Sequence, residues 1–339
     1  MFQNIDNLQE INSSDSQSED LKIFAYTEKN LNNSQSREKV LKLSIHQINN
    51  RCNLKCALLK NENNFQQQSD KDSTKKYMVQ HYQLQRNIEF QGKKCCAIIM
   101  EKAPFSDLGT FNNNLIQYLQ VKNNNNQLSE KILSDDIQLQ QYELYKQIMI
   151  QCAKSLKQLH NNGIMHNDVK YDNFYVFDFD IQAQKFDIKI ADLEYSVKES
   201  NLQNVQQLFQ IYSLKNQINL SPEIEEQVNL KKINKLHKFE INDIYAYDIY
   251  SFGQMMLEFL LLTPFRTIKN EIAFNYFQQK KYSEFLNEIP LQKKVLLTLY
   301  NNKKIKILWK IFDIVRLCLN SDPLERPNID ELSLLLEEL

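Results

Sequence analysis

The sequence predicts an α+β chain with a small β-rich N-terminal lobe and a larger helical C-terminal lobe. Three features of its 339 residues carry that expectation. Short apolar runs of β type fill the chain to about residue 100, apolar residues recur at helical spacing beyond about 110, and one late segment is apolar nearly all round. Leu21–Tyr26, Val40–Ile45, Tyr77–Leu84 and Cys95–Met100 read as strands. A helix over about 50–59 interrupts them. Tyr145, Ile148, Cys152, Leu156 and Leu159 fall on a single helical stripe, and Gly163 stands where a C-cap belongs. Ile249–Leu262 lacks a polar face and reads as a helix buried in mid-domain.

Composition narrows the function classes. Hydrophobic residues at 42% and aromatic ones at 11% suffice for a sizeable core. With 41 basic against 42 acidic side chains, net charge is −1, which argues against nucleic-acid binding driven by bulk charge. The four glycines, Gly92, Gly109, Gly163 and Gly253, stand too far apart for GxGxxG or for a Walker phosphate loop. The six cysteines form no paired CxxC motifs, so they are read as reduced thiols used as small hydrophobes. Met1–Glu10 is polar and mixed, unlike a signal peptide, and Met255–Phe265 is short and contains Glu258. A soluble, cytoplasmic protein without membrane insertion is expected. Asn- and Gln-rich stretches at 61–68, 123–127 and 201–207 read as loop insertions.

The chemistry concentrates in His160–Phe174, HNNGIMHNDVKYDNF. This loop places His166, Asp168, Lys170 and Asn173 in close succession. Phosphoryl transfer needs a carboxylate to orient the acceptor hydroxyl, a cation to neutralise the moving group, and an amide oxygen to help hold Mg²⁺. Asp168, Lys170 and Asn173 are those residue types in that order. Further on, the apolar run Ile188–Ala191 delivers Asp192 into a loop, where a carboxylate can chelate a metal that bridges phosphates.

His166–Asn173 resembles the HRDxKxxN catalytic loop of the eukaryotic protein kinases, and Asp192–Leu193–Glu194 resembles their DFG metal-binding loop. Other segments match in the expected order. Ile99–Ala103 (IMEKA) resembles the hinge that takes the adenine, with Met100 at the gatekeeper place. Ser221–Glu223 (SPE) resembles the APE motif, Asp248–Gly253 (DIYSFG) the buried helix whose Asp anchors the catalytic loop, and Asp322–Pro327 (DPLERP) the turn whose Arg pairs with the APE Glu. The resemblance runs from about residue 10 to the last residue. It implies a two-lobed protein-kinase-like fold, with a leader at 1–10 and a domain at 11–339. That domain comprises a β lobe at 11–100, a hinge at 101–105 and a helical lobe at 106–339, decorated by insertions near 61–75, 121–136 and 224–243.

The resemblance also implies roles. ATP and Mg²⁺ are the cofactors, and the γ-phosphate passes to a Ser or Thr hydroxyl of a protein substrate. Asp168 is the catalytic base and Lys170 contacts phosphate; Asn173 and Asp192 hold the metal. Met100, Glu101 and Ala103 belong to the nucleotide hinge. Lys42, in KVLK, matches the strand lysine, and Glu62 is its helix partner. His166, Glu223, Asp248 and Arg326 are structural, with Arg326 paired to Glu223.

Three departures qualify the pattern. The expected phosphate loop, Asn12–Ser18 (NSSDSQS), has no glycine to let amides approach phosphates, and Asp15 adds a like charge, so weaker ATP affinity is expected. Asn167 replaces the HRD arginine that docks a phosphorylated activation loop, so control by such phosphorylation is not expected. Glu194 replaces the DFG glycine. These departures leave two alternatives open: a pseudokinase serving as a binding or scaffold module, and a small-molecule kinase of choline type, whose family also carries Asp-x-Glu.

Overall fold

Five strands build one antiparallel sheet in the first part of the chain, in the order β1-β2-β3-β5-β4. Its strands are β1 (Asp6–Glu10), β2 (Leu21–Lys29), β3 (Ser36–Ile45), β4 (His81–Phe90) and β5 (Lys93–Glu101). The structure, a computed structural model, describes residues 6–10, 21–29, 36–45, 76–90, 93–112, 135–201, 220–226, 242–262 and 303–339. The expected helix over 50–59, Glu62, the loop at 12–18 and most of the three expected insertions lie outside the described residues. The chain divides into two units, Met1–Pro104 with Lys189–Ser196, and Phe105–Ile188 with Val197–Leu339.

In the first unit β3 is the middle strand, paired with β2 through Leu41↔Phe24 and with β5 through Leu41↔Ile99. Leu41, Ala97 and Ile98 are buried there. Residues 6–10, the second half of the expected leader, form β1 and pair with β2. The polar sequence DNLQE suits this outer strand, which would otherwise leave β2's backbone groups unpaired. The strand expected over Tyr77–Leu84 begins only at His81. Ahead of it, Met78 bridges Ile190, Val79 donates to the Ile190 carbonyl at 3.0 Å, and the Gln80 amide donates to Glu101 Oε1 at 2.7 Å. Met78 and Val79 are thus drawn to Ile190, whereas Gln80, whose carbonyl accepts from the Glu101 amide at 2.9 Å, stays bonded to the end of β5. The unit also takes in 189–196, which the sequence expectation assigns to the helical lobe.

The second unit is mainly helical. Helix α1 (Asp135–His160) carries the predicted stripe, and Tyr145, Ile148, Cys152, Leu156 and Leu159 are all buried. It stops where Gly163 adopts φ 68°, with the Gly163 amide donating to the His160 carbonyl at 2.9 Å. A short strand β6 (Ile164–Met165) follows and pairs with β9 (Val197–Lys198). Between them runs the hairpin of β7 (Phe174–Asp180) and β8 (Lys185–Ile190). Helix α2 (Asn242–Leu262) is buried from Tyr247 through Leu257, as its apolar composition predicts. Helices α3 (Lys303–Cys318) and α4 (Ile329–Glu337) complete the unit. Asn328 caps α4 through a reciprocal capping box with Glu331. Among the described residues no helix is long and apolar enough to cross a membrane. Cys152 and Cys318 are free and buried, and burial pushes both thiols up, Cys318 to about 12.

Gly253 sets the approach of α2 to α3. A Cβ there would lie 2.6 Å from Cys318 Cβ, inside van der Waals contact. Gly→Ala within a helix normally gains about 1 kcal/mol from propensity, whereas overpacking a closed contact costs about 1–3 kcal/mol. The second effect wins because Cys318 Cβ is fixed to the helix backbone. Gly253→Ala therefore lowers the thermal midpoint, and a raised midpoint would contradict this packing.

Candidate functional site

The loop after β6 is organised by one carboxylate. Asp248, fully buried on α2, accepts from the His166 amide through Oδ2 at 2.7 Å and from the Asn167 amide through Oδ1 at 2.8 Å. His160 Nε2 lies 2.9 Å from Asp248 Oδ2. A buried charge is tolerated when such donors surround it. Met165, Leu220, Ile224 and Tyr247 pack into one apolar cluster beneath this corner, joining the loop to α2 and to the segment at 220–226.

The side chains that the sequence singles out then gather on this loop. Asn167 sits in the left-handed region at φ 62°, a conformation Asn adopts more readily than most residues. The turn lets the Asp168 amide donate to His166 Nδ1 at 3.1 Å. Asn173 is buried, and its Nδ2 donates to the Asp168 carbonyl at 2.7 Å and to Asp168 Oδ2 at 3.0 Å. Both amide protons of Asn173 are thereby committed, and its Oδ1 is left as an acceptor. Lys170 Nζ lies 3.5 Å from Asp168 Oδ2, with both side chains partly exposed. The result is a carboxylate reachable from solvent, whose Oδ2 takes both the Asn173 amide and the Lys170 cation.

A second cluster in the same unit joins Glu223 to Arg326. The guanidinium donates to both carboxylate oxygens, each at 2.7 Å, and also to the Ala246 carbonyl at 3.1 Å and the Asn320 carbonyl at 2.8 Å. Ser221 Oγ donates to Glu223 Oε1. Arg326 lies over the Tyr250 ring, 4.8 Å from its centroid. Burial pushes the Tyr250 hydroxyl up to about 12, against the lowering effect of Arg326. The pair thus pins 220–226 to α2 and to the turn before α4.

In the first unit, Asp192 follows β8 in the left-handed region, φ 63° and ψ 59°, and leads into a short 3₁₀ turn at Leu193–Tyr195. Asp tolerates this region where most residues do not, and such backbone strain clusters at functional sites. Leu193 is buried and Glu194 partly exposed. Met100 and Glu101 end β5, opposite Val40 and Lys39 of β3. Lys42 sits in β3, opposite Ile23 on β2 and Ile98 on β5. Glu62 lies outside the described residues.

One contact escapes the sequence reading. The Glu101 carboxylate takes Lys189 Nζ at 2.9 and 3.0 Å, besides the Gln80 amide. Glu101 was expected in the nucleotide hinge; its carboxylate and its main-chain amide, which donates to the Gln80 carbonyl at 2.9 Å, are both committed inside the unit. The local signal for Lys189 is weak: one cation in the apolar run IKIA. Among the described residues no three His, Cys, Asp or Glu side chains cluster to hold a metal. The donor set expected here differs, an amide oxygen from Asn173 and one carboxylate from Asp192.

No family model matches the chain. It is similar to a protein kinase and PP2C-like domain-containing protein of Arabidopsis thaliana, 27% identical over 202 residues, covering 57% of this chain and 28% of that protein. The chain therefore spans less than a third of the length of this relative.

Breaking a buried ion pair by removing one partner costs about 3–5 kcal/mol, because the remaining charge stays buried. Arg326→Ala is accordingly expected to lower unfolding stability in urea by about that amount. Arg326→Lys should recover little, since a lysine cannot reproduce the two-pronged contact. An unchanged midpoint for Arg326→Ala would contradict the role of this pair.

Proposed function

We propose that the protein transfers the γ-phosphate of ATP to a Ser or Thr hydroxyl of a protein substrate, with Mg²⁺, in an intracellular setting. The observation that carries this reading is the fixed, solvent-reachable Asp168, held by Asn173, flanked by Lys170 and set on a loop tied to Asp248. The similarity to a protein named for a protein kinase domain supports it.

The residues fit the nucleotide and its metal by their donor chemistry. Asn173 Oδ1 is an acceptor with both of its amide protons already used, and Asp192 supplies a carboxylate. Together they would hold Mg²⁺, which when bound neutralises phosphate charge and orients the transferred group. Lys42 would contact the α- and β-phosphates, with Glu62 as its partner. The carbonyl of Glu101, whose amide is spent on Gln80, and the main chain of Ala103 would take the base, beside Met100. Asp168 orients the acceptor hydroxyl and receives its proton as the oxygen bonds to phosphorus and the bond to ADP breaks. Lys170 places its ammonium beside the same carboxylate, where it can balance charge on the moving phosphoryl group.

A second reading, a pseudokinase that binds or scaffolds partners, is favoured by Glu194, which puts a carboxylate where a flexible glycine would stand. One assay separates the readings: phosphate transfer from Mg-ATP to protein, including autophosphorylation, with and without choline. Loss of a catalytic base typically costs 10²–10⁴-fold. Asp168→Asn is expected to lower transfer by at least about a hundredfold, and Asp192→Asn to do the same while weakening Mg²⁺ dependence. No transfer by the wild-type protein would favour the pseudokinase, and transfer only to choline would assign the choline type.

A further inference from the structure

We infer that the cleft between the end of α3, the Pro323–Glu325 turn and the outer face of α4 docks a partner protein through a short aliphatic segment flanked by Lys or Arg. The inference is independent of the catalytic reading. Helix α4 carries a buried apolar stripe and, on another face, two leucines set between glutamates. Ile329, Leu332 and Leu336 are buried in the core. Glu331, Leu334, Leu335 and Glu338, at helical spacing on another face, line the cleft of about 420 Å³. On a helix end serving only as cover for the core, Leu334 and Leu335 would be expected to be polar as well.

Five large apolar side chains are exposed among the described residues, and three of them meet here: Leu317 at 42%, Leu324 at 74% and Leu334 at 60%. Scattered exposed leucines are ordinary, whereas a cluster around a concavity marks an interaction surface.

Charge decides what the occupant is. Glu325 and Glu338 border the leucines, and neither carboxylate has a hydrogen-bond or ion-pair partner among the described residues. Lys310 reaches only the main-chain carbonyl of Glu338, at 3.4 Å. Arg326 lines the wall, but its guanidinium is spent on Glu223 and its side chain is fully buried. The rim is therefore acidic. A second copy of this chain, packed through the same face, would set these acidic rims against each other. Lys or Arg next to aliphatic side chains would pair with the two carboxylates while filling the apolar floor.

The test selects a random peptide library on phage against the full chain, with Leu324→Asp/Leu334→Asp as counter-target. Both positions are largely exposed, so the variant should keep the wild-type melting midpoint, which is measured alongside. Enriched peptides are expected to combine aliphatic residues with Lys or Arg, and to bind wild-type protein about tenfold or more tighter than the variant by fluorescence anisotropy. Glu325→Lys/Glu338→Lys should weaken them by about tenfold as well, and added salt should weaken them further. Enrichment of acidic or purely polar peptides, or none that depends on Leu324 and Leu334, would overturn the inference. Wild-type self-association lost in the aspartate variant would replace the basic partner with a second copy.

Discussion

Asp248 is the constraint on which the second unit depends. A carboxylate removed from water costs several kcal/mol unless charge-assisted hydrogen bonds replace its hydration. Here the replacing donors are the amides of His166 and Asn167, so burial of the charge and closure of the loop happen together. The left-handed turn at Asn167 costs about 1–2 kcal/mol for an ordinary residue, and less for Asn. Hydrogen bonds to a charged group contribute about 1.5–3 kcal/mol each. Two of them outweigh the strain, which is why the loop can hold a conformation that the chain alone would avoid. Asp168 inherits its position from that balance, because the amide of Asp168 and the side chain of Asn173 extend the same hydrogen-bonded turn.

Much of the fold was legible because its signals are local and periodic. The stripe from Tyr145 to Leu159 needs only helical spacing, and the all-apolar Ile249–Leu262 needs only composition. The β-type runs were visible as well, yet their ends were not. Ahead of β4, Met78 and Val79 pair with Ile190, a partner far away in sequence. β1 reads as polar leader, since DNLQE lacks an apolar run and becomes a strand only through pairing with β2.

The candidate site shows the same division. Contacts inside His166–Asn173, from Asp248 to that loop, and between Glu223 and Arg326 all join residues that stand out in the sequence by motif order. The Glu101–Lys189 pair does not stand out, because two charges 88 positions apart carry no local signature. It also changes what Glu101 can offer, tying its carboxylate to the strand that delivers Asp192. The departures at Asn167 and Glu194 have different consequences. Asn167 fits the strained turn it occupies, whereas Glu194 adds charge beside a proposed metal ligand.

Amide hydrogen exchange across 164–170 tests the central role of Asp248 most directly. In wild-type protein the His166 and Asn167 amides should exchange among the slowest of the chain, and Asp248→Asn should speed them by about tenfold or more, since losing even one charge-assisted bond removes more than 1.4 kcal/mol. Fast exchange of these two amides in the wild type, or rates untouched by the substitution, would contradict the account.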